Sequence, residues 1–110
     1  SGIVLGVSEG GLVPRLQFGS ERVAIAYLEI FDLARNATAA VTFELATTVN
    51  GPALASAPGA LTPTATGDRR AATAQLPIGS LPAGDYVVRA IVGVAGQPAG
   101  RVMRTLRKSP

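Results

Sequence analysis

The strongest constraint on the fold is an alternation of apolar and polar residues with a period of two. The segment from Val41 to Leu45 is the clearest case, since its valine, phenylalanine and leucine would point one way and its threonine and glutamate the other. It is followed by the turn sequence Asn50-Gly51-Pro52, in which Asn and Gly accept positive φ at low cost. No long stretch has the 3.6-residue apolar spacing of a helix. Strands separated by frequent turns predict a sandwich or barrel.

The same pattern predicts the other strands. They cover Ile3 to Val7, Leu12 to Phe18, Arg22 to Leu33, Ala72 to Leu76, Tyr86 to Val94 and, after a hairpin over 95–100, Arg101 to Arg107. Pro14 cannot donate to a ladder, so its strand is expected at a sheet edge. The segment Arg22 to Leu33 is apolar on both faces. A helix remains its alternative, although β-branched and aromatic residues favour a strand, either central or covered by a loop or neighbouring domain.

Residues 51–68 differ from the rest, because they are almost entirely Ala, Gly, Pro, Ser, Thr and Leu. A structureless loop of this length is uncommon in a compact domain. We therefore expect a short edge strand near 60–65.

Composition limits the remaining possibilities. The chain has 110 residues, of which 47% are hydrophobic and 15% charged, so one folded domain over 1–110 is expected. Cysteine and histidine are absent, which excludes disulfides and thiolate or imidazole metal ligands. No apolar run approaches the length of a transmembrane helix. Because the chain begins with serine, we expect a fragment of a longer protein or a product from which a leader was removed.

The segment Leu81-Pro82-Ala83-Gly84-Asp85-Tyr86 enters a strand through a tight turn and delivers an inward tyrosine at its start. A tyrosine corner has this form, and its hydroxyl bonds back to nearby backbone. With the valines that follow, the segment resembles the penultimate strand of fibronectin type III and bacterial immunoglobulin-like modules. Together with 18–23 and 100–106, it is similar to the C-terminal accessory domain of exported proteins that carry a von Willebrand factor A-type domain.

This resemblance covers roughly residues 12–107 and rests on turn and core positions. It implies an all-β, two-sheet antiparallel sandwich, immunoglobulin-like, of about seven strands. It also implies an extracytoplasmic accessory module without enzymatic activity, located in the periplasm, at the cell surface or outside the cell. It provides no site residues: the serine and aspartate metal motif of the A-type domain is absent here.

The residue types give little support to catalysis. A Ser-His-Asp triad is impossible, and a serine–lysine pair would need Lys108 beside Ser109, in a tail that we expect to be frayed. The acidic residues are predicted to be solvated, with Asp85 ordering the turn before Tyr86 and Asp68 only a lone calcium candidate. We therefore predict no catalytic, cofactor or metal residues. We interpret Asn36-Ala37-Thr38, a glycosylation acceptor pattern, as a polar turn.

Positive charge is concentrated near the C-terminus, at Arg101, Arg104, Arg107 and Lys108. In a strand, Arg104 would share a face with Val102 and Leu106, while Arg101 and Arg107 would lie on the other face. Because alternation splits the charge and aromatic residues are scarce, we do not expect nucleic-acid binding. We interpret the strand instead as a solvated edge protected by its charges.

These observations predict a non-catalytic accessory module of an exported bacterial protein, acting as a spacer or protein-interaction domain. Its expected partners are neighbouring domains of the parent chain or another protein, with no membrane span. The first alternative is a carbohydrate-binding module, for which Tyr27 would be the exposed aromatic residue. A second is a subunit that assembles by strand addition at an exposed edge.

Overall fold

The protein is all-β in the parts of the chain that the structure describes. The computed structural model describes residues 2–30, 38–63 and 69–110, which contain ten strands and no helix. The strands are β1 (Val4–Ser8), β2 (Leu12–Pro14), β3 (Gln17–Phe18), β4 (Val23–Ile30), β5 (Ala39–Ala46), β6 (Ala55–Pro58), β7 (Ala60–Pro63), β8 (Arg70–Pro77), β9 (Gly84–Val94) and β10 (Gln97–Lys108).

The strands form two five-stranded sheets that pack as a sandwich. Sheet A has the order β2-β1-β4-β8-β7, and sheet B has the order β3-β10-β9-β5-β6. All pairs are antiparallel except β3 with β10. The predicted two-sheet antiparallel sandwich is confirmed. It has ten strands where about seven were predicted, and two segments, 12–18 and 51–63, each contribute two short strands rather than one.

The core lies between the sheets and follows the alternation of the sequence. On β5, Val41, Phe43 and Leu45 are buried, as predicted. On β4, Ala24, Ala26 and Leu28 point inward, and β4 lies at the centre of sheet A. The predicted strand over 22–33 is thus confirmed for Val23–Ile30, whereas 31–33 lie outside the described residues. The largest fully buried side chains are Phe18, Phe43, Ile3, Leu5, Leu45, Leu76, Ile78, Leu106 and Val88.

The segment from β2 to β3 changes sheets. Leu12–Pro14 pairs with β1 at the edge of sheet A, which agrees with the edge position predicted from Pro14. The next pair, Gln17–Phe18, lies beside β10 in sheet B and buries Phe18 in the core. The prediction of one strand over 12–18 was therefore wrong. Period-two alternation is the same in both halves, so the pattern does not reveal where a chain leaves one sheet for the other.

A second change of sheet occurs between β6 and β7, at Gly59. Its backbone N–H donates to the Val41 carbonyl, 2.7 Å away. A Cβ at Gly59 would lie only 3.1 Å from the Phe43 ring and 3.2 Å from Ala72, so the chain can cross the core edge here because glycine has no side chain. The edge strand expected near 60–65 is present as Ala60–Pro63, and 64–68 lie outside the described residues.

The β9–β10 hairpin is tighter than the sequence suggested. Val94 pairs directly with Gln97, so Ala95 and Gly96 form a two-residue turn, with φ of 53° and 78°. The last strand therefore begins at Gln97 rather than at Arg101, and an irregularity between Pro98 and Gly100 absorbs the proline. The Pro-Gly-rich stretch predicted as a loop is thus mostly strand.

The tyrosine corner is formed as predicted. Tyr86 is 5% exposed and begins the inward-facing series of β9. Its hydroxyl donates to the Pro82 carbonyl oxygen over 2.6 Å. The buried ring therefore has a partner for its polar end, and the turn from Leu81 to Gly84 is joined to the core.

Candidate interaction surfaces

Lys108 lies in a different environment from the one expected. It is in strand β10, 7% exposed, and its ammonium donates to the Ile78 and Gly79 carbonyls. The prediction of a frayed tail was wrong, because β3 and β9 flank the end of β10 and Ser109 N–H donates to the Phe18 carbonyl. An ammonium held by two carbonyls joins the last strand to the β8–β9 connection.

The outer face of sheet B contains a buried arginine that sequence reasoning did not identify. Arg89 is 5% exposed because residues 47–53 fold over it. Its guanidinium donates to the carbonyls of Val49 and Gly51, at 3.0 and 2.7 Å, and forms a 2.8 Å ion pair with Glu44. Only Nε lacks a hydrogen-bond partner. Alternation predicted Arg89 on the outward face, but nothing in the pattern indicated the loop above it.

The remaining cations of β10 divide between two faces, as the alternation predicts. Arg107 lies 3.7 Å from Asp85 across the β9–β10 pair, with both side chains 64% exposed, so Asp85 lies on the surface and contacts β10. Arg101 donates to the side-chain oxygen of Asn50 over 2.9 Å. Arg104 is exposed on the same strand face as the buried Leu106. Among the described residues, neither Arg101 nor Arg104 has an acidic partner.

Most of the outer edge of β10 is unpaired in the described part of the chain. β9 pairs with β10 along its whole length, whereas β3 on the other side meets only Arg107 and Lys108. The Arg107 N–H points to the β3 side, since it donates to the Leu16 carbonyl over 2.9 Å. Because strand donors alternate in direction, the N–H groups of Thr105, Met103 and Arg101 point to that same side. We call Arg101 to Thr105 the open β10 edge.

A groove of about 700 Å³ runs beside this edge. Its walls include Val4 of β1, Pro14 and Leu16 of the sheet-changing segment, and Arg104 of β10. Leu16 is 43% exposed and Val4 36%. The groove exists because the chain leaves sheet A after β2 and reaches β10 only at Gln17, so no strand of the described ranges fills the space between β1 and the middle of β10.

A clamp around Glu21 holds the segment that borders this groove. One carboxylate oxygen accepts the Gly19 N–H over 2.6 Å, and the other lies 2.5 Å from the Arg15 guanidinium. The backbone hydrogen bond from Gly19 lowers the pKa of Glu21 below its ordinary value, and Arg15 adds to the effect. The clamp therefore joins the two ends of the segment that carries Leu16 and Phe18.

Tyr27, the expected aromatic residue for carbohydrate, lies half-buried on the outer face of sheet A. Its hydroxyl donates to Glu29 over 2.9 Å, and this hydrogen bond raises the pKa of Tyr27. A shallow pocket of about 360 Å³ is lined by Gly2, Val4, Tyr27 and Glu29. The aromatic ring and a carboxylate thus stand together at the surface.

Among the described residues, acidic side chains do not gather into any group of three or more that could hold a metal ion. Two candidates named above, Asp68 and most of Asn36-Ala37-Thr38, lie outside the described ranges. No helix in the described ranges is long and apolar enough to cross a membrane.

No family model matches the sequence, and no curated protein matches it.

Proposed function

We propose that this chain is an immunoglobulin-like accessory module of an exported bacterial protein, without catalytic activity, which acts as a spacer or protein-interaction domain. The observation that carries the proposal is the strand order combined with the Tyr86 corner. The strand letters of an immunoglobulin domain can be given to six strands in chain order: strand A is β1, strand B is β4, strand C is β5, strand E is β8, strand F is β9 and strand G is β10. Strands β1, β4 and β8 (A, B and E) then lie in one sheet, and strands β10, β9 and β5 (G, F and C) lie in the other. Immunoglobulin sandwiches distribute their strands in this way, and their corner tyrosine begins strand F.

The immunoglobulin-like architecture supports the proposed role by analogy, since one fold serves many functions. Two features of this chain add to it. In the described part of the chain, the exposed apolar side chains of Leu16 and Val4 border a groove, and the neighbouring strand edge has unpaired donors. Protein-interaction surfaces commonly combine exposed apolar residues with unpaired edge groups.

A turnover assay tests the non-catalytic part of the proposal. The purified chain is incubated with chromogenic ester, peptide and glycoside substrates, and we expect rates equal to those of buffer. Saturable hydrolysis that follows the folded protein through purification, and disappears on unfolding, would overturn it. Export is tested by fractionating the source cells with an antibody to the chain, and recovery only from the cytoplasm would contradict an extracytoplasmic module.

Carbohydrate binding is the second candidate, and the Tyr27–Glu29 pair beside a pocket favours it. A glycan array with the wild-type chain and the Tyr27→Ala variant separates it from the first proposal. Binding that Tyr27→Ala removes would support a carbohydrate module. The Tyr86→Ala variant is unsuitable as a control, because it removes a core side chain; Val13→Ala, on the exposed β2 edge, is the better match.

A further inference from the structure

We propose that the open β10 edge binds an extended acidic segment of another protein, which adds to sheet B as a strand. This inference rests on the proposed function and names the surface and the chemistry of its partner. Among the described residues, the site consists of three features: a row of unpaired backbone groups, two arginines without acidic partners, and an apolar groove alongside.

The backbone groups determine how a partner binds. The N–H groups of Arg101, Met103 and Thr105 point away from β9, in line with the Arg107 N–H that already bonds Leu16. An added strand would continue the ladder that β3 begins, and main-chain hydrogen bonds would provide affinity without depending on its sequence. The edge ends naturally at the irregularity between Pro98 and Gly100, where the proline lacks a donor.

The side chains determine which partner binds. Arg104 faces the groove and Arg101 faces the opposite side, so an added strand with acidic residues three positions apart would place one carboxylate beside each arginine. Between them, an apolar residue on the groove side would contact Leu16. The added strand would thereby cover Leu16 and Val4, which the described chain leaves exposed.

The same charges disfavour a second copy of this chain as the occupant. An antiparallel two-fold pairing of two open edges would be centred on Met103, with Arg101 opposite Thr105 and Arg104 opposite Val102, so that the two copies of Arg104 would be diagonal neighbours on one face. Diagonal neighbours remain within reach of long side chains, so these like charges repel, and arginines along an edge are one means of preventing self-association. An acidic strand removes this repulsion and replaces it with attraction.

The test uses the whole 110-residue chain and a labelled probe peptide of about seven residues that alternates Val and Thr and carries two glutamates three apart. Fluorescence anisotropy measures its binding. Two control peptides are matched to it: one has lysines in place of the glutamates, and one is N-methylated at every residue, which keeps the charge and removes the backbone donors of both edges. We expect each control to bind at least about tenfold more weakly than the probe.

Variants locate the site. Arg104→Glu replaces an attraction by a repulsion and should weaken binding about tenfold, whereas Arg22→Glu, which makes the same change of charge on the exposed β3–β4 connection, should leave it within about twofold. Met103→Pro removes an outward N–H and spares the bonds to β9. If Met103→Pro fails to fold, amide hydrogen exchange of the wild type replaces it: the probe should slow exchange at Arg101, Met103 and Thr105.

Four results would overturn the proposal. The first is no binding of the probe up to its solubility limit. The second is equal binding of the N-methylated peptide, which would indicate charge attraction without strand addition. The third is binding of the probe that Arg104→Glu does not weaken and that does not slow hydrogen exchange in β10. That outcome would exclude this surface as the binding site, but it would leave the module's proposed role in protein interaction intact. Light scattering that shows a dimer disrupted by Arg104→Glu would replace the acidic partner by a second copy and would equally overturn it.

Discussion

Tyr86 stabilises the fold with both ends of its side chain, since the ring fills the core and the hydroxyl joins it to the Pro82 carbonyl. Tyr86→Phe keeps the ring and leaves that carbonyl without its donor. We expect the free energy of unfolding, measured by urea titration, to fall by about 1–2 kcal/mol. Tyr27→Phe is the matched control on the outer face of sheet A, with an expected loss below about 0.5 kcal/mol. Equal losses in the two variants would contradict the corner's role.

Glu21 makes stability depend on pH in a definite direction. Its pKa is lower in the folded chain than its ordinary value, so the folded state binds its proton less readily than the unfolded state does. The stabilisation is complete above the ordinary glutamate range and is lost as pH falls through the lowered folded pKa. Carboxyl-detected NMR titration should show the low pKa. Glu21→Gln should flatten the acid limb of a stability-against-pH curve, and an unchanged limb would refute this assignment.

At the scale of elements, the loop over 47–53 is held to sheet B chiefly by Arg89. Arg89→Ala would leave two loop carbonyls and the Glu44 carboxylate without their donor. We expect a loss of about 2–4 kcal/mol and faster amide exchange in 47–53. Arg101→Ala, which removes an exposed contact to the same loop, should cost less than about 1 kcal/mol. A small effect of Arg89→Ala would show that the loop is held by other contacts.

The β9–β10 turn contains a strain that a substitution can relieve. Ala95 has a φ of 53°, a left-handed conformation that alanine adopts poorly, and it precedes Gly96 at 78°. Asn followed by Gly is the preferred pair in such two-residue turns. Ala95→Asn should therefore stabilise the protein by about 0.5–1 kcal/mol, seen as a rise in Tm by calorimetry. Ala99→Asn, just beyond the turn in β10, is the control and should give no gain.

Sequence pattern predicted the long elements better than the short ones, for physical reasons. Alternation identified β5, β8 and β9, because each places apolar side chains in the core on one face and most of its polar side chains on the other. It could not separate β2 from β3 or β6 from β7, where the chain changes sheets without changing its period. Pro98 and Gly100 are typical of loops, yet they lie in a strand because β9 pairs with both sides of the irregularity.

The candidate site was only partly predictable. The split of arginines between the two faces of β10 follows from alternation alone. The open edge does not follow from alternation, because its length depends on how much of β10 is paired with β3. That pairing involves only Gln17 and Phe18 of β3. Burial of Lys108 and Arg89 was equally inaccessible to sequence, since each depends on backbone carbonyls from segments distant along the chain.

At the scale of the whole molecule, the chain passes repeatedly between the sheets: β2 and β3 lie in different sheets, as do β4 and β5, and β6 and β7. Neither sheet can unfold without displacing segments of the other, and both share one core. We therefore expect a single cooperative unfolding transition. Fluorotyrosine labels at Tyr27 and Tyr86 report sheets A and B separately by ¹⁹F NMR. Their urea midpoints should coincide, and two separate midpoints would contradict a shared core.

The short pairing of β3 with β10 has a mechanical consequence. A tensile load applied along the strands would shear the bonds from Arg107 to Leu16 and from Ser109 to Phe18, which join the sheet-changing segment to the last strand. With so few bonds sharing the load, this connection is expected to rupture well before the ladder between β9 and β10, which spans the whole of the last strand. Resistance to force would therefore increase if another strand lay along the rest of β10.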